Sequence, residues 1–180
     1  MTIEIVIFAA FRVAVSLPIL RWPLAGGLLA IAGDTSDLLL REFVDLGGVG
    51  DYQALDKLLD QVYLALFLVV ALRWEGVERR IAIALYAYRL AGTVLFWITG
   101  DRALLMFFPN IFETWFMFVA LLHHRTLPVT WTGLRLAAAL VGVTALKLLH
   151  EWSIHGAQIF DRMTTRQFLD EVWRLLTGAW

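Results

Sequence analysis

The 180-residue chain is 60% hydrophobic and 17% charged, with eight tryptophans, no cysteine and a formal net charge of -1. That balance leaves no basic surplus for nucleic acid, and the missing cysteines exclude disulfides, thiolate metal ligands and cysteine nucleophiles. It describes an all-α polytopic membrane protein, with room for about six spans of some 20 residues and little for a soluble module.

The spans are expected in order. The first runs roughly from Ile3 to Leu20 with Arg12 in its midst, and it is read as a span rather than a cleavable signal, because no small-residue cleavage pattern follows it. Pro18 and Pro23 bracket a tight turn into the second, roughly Pro23 to Val44, whose start LAGGLLAIAG is rich in small residues that let another backbone approach closely. The third covers roughly Asp51 to Trp74, with Asp51 placed to cap it. RWEGVERR leads to a fourth at about Ile81 to Thr99, GDR to a fifth at about Ala103 to Leu122, and HHRTLPVT to a sixth at about Trp131 to Trp152.

Asp161 to Trp180 differs in kind. Phe168, Leu169, Val172, Trp173 and Leu176 share one helical face, and Thr164 and Gln167 have capping-box spacing, so a short amphipathic helix on the membrane surface is expected. The organisation is thus a six-helix transmembrane domain over 1–155 and an amphipathic helix over 156–180, integral to the plasma membrane of a bacterium or archaeon. Arginines are shared almost evenly between the two sets of links, so the positive-inside rule sets no orientation. Most tryptophans fall near span ends and read as interfacial anchors.

Four acids interrupt spans two and three: Asp34 and Asp37, three apart, and Asp56 and Asp60, four apart, so each pair projects from one helical face. Between them lies DLGGVGD, a turn. In an antiparallel hairpin, residues at equal depth have position numbers with a constant sum, which sets Asp37 level with Asp56 and Asp34 level with Asp60. At about 1.5 Å rise per residue both levels lie roughly 10 to 20 Å from the tip. Carboxylates gathered in low dielectric resist joint ionisation, and a bound cation removes the conflict. Hard oxygen ligands suit Mg²⁺, Mn²⁺ or Ca²⁺ better than zinc.

These acids, and the run FRVAVSLPILRWPLAGGLLAIAGDTSD that leads to them, resemble the CDP-alcohol phosphotransferases, whose signature is D-x2-D-G-x2-A-R-x8-G-x3-D-x3-D. Asp34, Asp37, Asp56 and Asp60 match its acids, and Arg12 stands where the family usually has an arginine. Leu38 replaces the first signature glycine, Arg41 and Glu42 fall at Ala-Arg, and Tyr52 falls at the second glycine. The resemblance implies a Mg²⁺ or Mn²⁺ enzyme of phospholipid or polar-lipid synthesis, with Asp34, Asp37 and Asp56 on metal. Asp60 would be the catalytic base, with or without a metal contact. Its partners would be the bilayer, a CDP-alcohol and an acceptor alcohol. The altered glycines keep two other readings open. One is a non-catalytic relative that serves as a cation-stapled subunit, in a homodimer or a larger membrane complex. The other is a divalent-cation carrier.

Further polar residues sit in apolar surroundings: Arg89 in span four, Asn110 and Glu113 in span five, and Lys147 with Glu151 at the end of span six. Together with Arg41, residues Asn110, Glu113 and Lys147 are candidates for a substrate headgroup pocket. A structural Arg89–Glu113 salt bridge is the plainer alternative, and Lys147 and Glu151 have ion-pair spacing. His123 and His124 read as part of a link.

Overall fold

The computed structural model describes residues 3–40, 52–101, 103–127, 129–152 and 174, and among these all regular structure is helical. The helices are α1 (Ile3–Ser16), α2 (Pro23–Leu40), α3 (Tyr52–Ala71), α4 (Gly76–Thr99), α5 (Ala103–Phe107), α6 (Ile111–His124) and α7 (Gly133–Glu151). Gly76–Thr99, Leu104–His124 and Gly133–His150 are each long and apolar enough to cross a bilayer, so this is a membrane protein. The expected C-terminal amphipathic helix, the DLGGVGD turn and Arg41 lie outside the described residues.

Proline chemistry shapes the first turn. Pro18 cannot donate to the helix behind it, and α1 tightens into a 3₁₀ turn over Leu17–Leu20, whose Pro18 carbonyl accepts from the backbone N–H groups of Arg21 (3.1 Å) and Trp22 (2.8 Å). Pro23 then opens α2 at the position that needs no N–H donor. Gly26 lies so close to this turn that a Cβ there would overlap the backbone of Pro18 and Ile19. The small residues at the start of α2 therefore bring it against the preceding turn, and at Gly27 against the Met117 side chain of α6.

The fifth span is not one helix. Pro109 interrupts it, and the chain bends through Phe108–Asn110 before α6 begins with Asn110 as its N-cap, the amide oxygen accepting from the Glu113 N–H. The break turns the carbonyls of Phe107 and Phe108 outward, where they accept from the Tyr88 hydroxyl and, at 2.7 Å, from Arg89. The fourth helix starts at Gly76, earlier than expected, because the charged VERR segment continues the helix instead of forming a link. It ends at Gly100, which adopts φ +70 and donates its N–H to the Phe96 carbonyl at 2.8 Å.

The core lies between α3 and α6. Phe67 stacks on Phe116 with centroids 3.9 Å apart, Trp74 also stacks on Phe116 at 5.3 Å, and Phe112 and Trp115 are fully buried. Trp115 is thus a core residue rather than an interfacial anchor, its indole donating to the Glu78 carbonyl. The turn after α1, the C-terminal ends of α3 and α6, and the starts of α2, α4 and α7 gather at one end of the bundle. Arg73 donates there to the Leu20 carbonyl, and Glu78 accepts from His123 (2.8 Å) and Trp131 (2.9 Å). His123 and His124 therefore close α6 rather than occupying a link.

Candidate functional site

Two buried charged clusters occupy the interior, and α3 contributes to both. Lys57, Asp60 and Tyr63 follow one another at three-residue spacing along one stripe of this helix.

The first cluster joins α1, α2 and α3. Arg12, only 3% exposed, places one nitrogen, Nη2, 2.5 Å from Asp34 Oδ1 and 3.0 Å from Asp60 Oδ1. The other oxygen of Asp60 accepts from Lys57 Nζ at 2.9 Å. Ser16 fixes the turn of α1 below the guanidinium by donating to the Arg12 carbonyl at 2.7 Å. Two basic side chains, Arg12 and Lys57, thus face two acids, Asp34 and Asp60, from three helices. Asp34 and Asp60, set level by the hairpin register, do converge. The side chains of Asp37 and Asp56 lie outside those described.

The second cluster joins α3, α6 and α7 around Glu113, which is 8% exposed. Its Oε2 accepts from the Tyr63 hydroxyl at 2.7 Å and from Asn110 Nδ2 at 3.0 Å, and its Oε1 from Lys147 Nζ at 3.3 Å. Three candidates for a headgroup pocket, Asn110, Glu113 and Lys147, therefore meet. The Arg89–Glu113 salt bridge does not form, because the break at Pro109 offers Arg89 the Phe108 carbonyl instead. The side chain of Glu151 lies outside those described.

Between the clusters runs a third contact, Gln61 Nε2 donating to Thr93 Oγ1 at 3.1 Å, which in turn donates to the Arg89 carbonyl. Gln61 Oε1 and Arg89 Nε are buried without a hydrogen-bond partner.

Among the described residues no group of three or more metal-ligating side chains converges. Asp34 and Asp60 nonetheless supply the hard oxygen donors that Mg²⁺ or Mn²⁺ takes. Two of these oxygens already point at one position, which Arg12 Nη2 occupies. A cation at that position would have to displace Arg12.

Arg12, Lys57 and Tyr63 belong to the site without having been assigned to it from sequence. The available signals were an arginine in the middle of an apolar run, and basic and phenolic residues one turn either side of Asp60. No protein-family model, curated protein or solved structure matches this chain.

Proposed function

We propose that the chain is a six-span, divalent-metal-dependent membrane transferase that moves a substituted phosphate from a CDP-alcohol to an acceptor alcohol. The observation that carries this reading is the convergence of Asp34 and Asp60, from consecutive helices, on the single nitrogen of Arg12. The same hairpin register puts Asp37 and Asp56 at the neighbouring level. The three remaining crossings would be α1 with its 3₁₀ turn, α2 and α3.

In this reading Asp60 accepts the proton of the acceptor hydroxyl. The acceptor oxygen forms a bond to the phosphorus that bears the donor alcohol, the bond from that phosphorus to the bridging oxygen breaks, and CMP leaves with the bonding pair. Both oxygens of Asp60 accept from cations, so it takes a proton only after shedding one of them. Lys57, a quarter exposed at its side chain and one turn away, is the more releasable of the two. A Mg²⁺ or Mn²⁺ ion held by Asp34, Asp37 and Asp56 would supply charge neutralisation at the diphosphate and the departing CMP. Glu113, Asn110 and Lys147 would line the acceptor side.

A second reading is favoured by a specific observation: Arg12 and Lys57 already neutralise Asp34 and Asp60. The cluster then serves as a staple, with arginine as the cation, in a non-catalytic subunit of a membrane complex.

Binding of CDP and of a CDP-alcohol to the purified protein, with and without Mg²⁺ or Mn²⁺, separates the two. The transferase reading expects metal-dependent nucleotide binding that Asp56→Asn abolishes. Absence of nucleotide binding under every metal condition would leave the subunit reading.

A further inference from the structure

A cavity of about 440 Å³ opens at the opposite end of α2 from Asp34, between the start of that helix and the C-terminal ends of α3 and α6. Its lining divides by chemistry. Leu24, Leu28 and Trp74 make an apolar trough, and Arg21, His123 and His124 stand at its rim beside Trp22. Leu28 and Trp22 are 57% and 62% exposed, so the trough is open along that side.

The rim carries the positive charge of Arg21, which has no ion-pair partner among the described residues. Glu78, the nearby acid, is engaged by His123 and Trp131. Among the described residues Arg21 makes no side-chain hydrogen bond or ion pair, and neither does His124, although both line the cavity. Arg125 follows directly at the end of α6. The first turn of α2, with its unsatisfied N–H groups, adds partial positive charge from the same side. Trp22, Trp74 and Trp131 gather at this end, the arrangement by which a helical bundle marks the headgroup level of a bilayer.

An apolar trough that ends in an arginine and an imidazole N–H donor complements an amphiphile with an anionic head. We propose that this groove binds one anionic glycerophospholipid, its phosphate held by Arg21 and His124 and one acyl chain laid along Leu24 and Leu28. A free inorganic anion would leave the apolar part of the lining unused. The site is independent of the aspartate cluster, and neither Arg21 nor His124 belongs to the transferase machinery.

Native mass spectrometry of the detergent-solubilised protein, given equal amounts of phosphatidylglycerol and phosphatidylcholine with the same acyl chains, tests this. One phosphatidylglycerol should be retained, in preference to phosphatidylcholine by about fivefold or more. Arg21→Ala with His124→Ala should abolish the preference, while Arg80→Ala, an exposed arginine at the same end but outside the groove, should keep it. Leu28→Trp, which fills the trough, should lower retention of both lipids. Equal retention of the two lipids by the wild type, or a preference unchanged in the Arg21/His124 variant, would overturn the proposal. Displacement of phosphatidylglycerol by millimolar inorganic phosphate would identify a free-anion site and overturn it as well.

Discussion

Arg12 of α1 and Asp60 of α3 meet at 3.0 Å across 48 positions of sequence, and the same guanidinium nitrogen holds Asp34 of α2. One side chain therefore ties together three helices. Removing it leaves Asp60 with Lys57 alone and takes the guanidinium from Asp34, which is a third exposed, a loss that typically costs about 1–3 kcal/mol. Arg12→Met should lower stability by about that amount in thermal unfolding of the detergent-solubilised protein, and Arg12→Lys by less.

The same variant tests the metal. With Arg12 gone, the point where the oxygens of Asp34 and Asp60 converge is open to a cation. Under the transferase proposal, Mg²⁺ or Mn²⁺ should raise the unfolding midpoint of Arg12→Met and leave Arg12→Met/Asp34→Asn/Asp60→Asn unmoved. Identical responses in the two proteins would remove Asp34 and Asp60 from any metal site.

Glu113 anchors three donors, so its loss should be felt differently from the loss of any one of them. Tyr63→Phe removes the 2.7 Å bond to Glu113 and the long 3.4 Å bond that the hydroxyl accepts from Asn110, each roughly 0.6 kcal/mol on average within membranes and up to about 1.7. Glu113→Gln leaves the Lys147 ammonium buried opposite a neutral amide, and should cost more. Combined with Lys147→Met it should destabilise by less than the two single changes added together, with a coupling of about 0.5–3 kcal/mol measured in a double-mutant cycle. Strict additivity would mean that the 3.3 Å contact carries no energy.

Close packing at the first turn offers a contrast between two glycines. A methyl group at Gly26 would run into the backbone of Pro18 and Ile19, whereas one at Gly142 would meet nothing within 4 Å. Gly26→Ala should destabilise by about 1–3 kcal/mol. Gly142→Ala, in the middle of α7, should be neutral or stabilising by up to about 1 kcal/mol. Unfolding midpoints of the two variants settle the comparison.

Much of this arrangement could be read before any coordinates. The apolar runs located most of the described helices to within about five residues, though not the break that splits the fifth span at Pro109, and hairpin arithmetic set Asp34 level with Asp60. Arg12 was visible as a charge in the first span, but its partners depend on how α1 is rotated against α2 and α3, and a single helix carries no record of that. Lys147 shows the same limit, since its partner Glu113 lies 34 positions away on another helix. Arg89 failed for a different reason. Charge complementarity pointed to Glu113, while the break at Pro109 freed a backbone carbonyl, and backbone acceptors are invisible to reasoning about side-chain types. The tryptophans at span ends fitted the anchor pattern, but position alone could not separate them from the wholly buried Trp115.

The stripe of Lys57, Asp60 and Tyr63 on α3 has a mechanical meaning. If α3 slid along its axis by about one turn, roughly 5 Å, in the direction that carries Asp60 to the place of Tyr63, it would set a carboxylate against Glu113 and take that carboxylate away from Arg12. The polar sequence of the helix therefore works as a detent against piston motion. A piston motion of α3 in that direction would break both clusters at once.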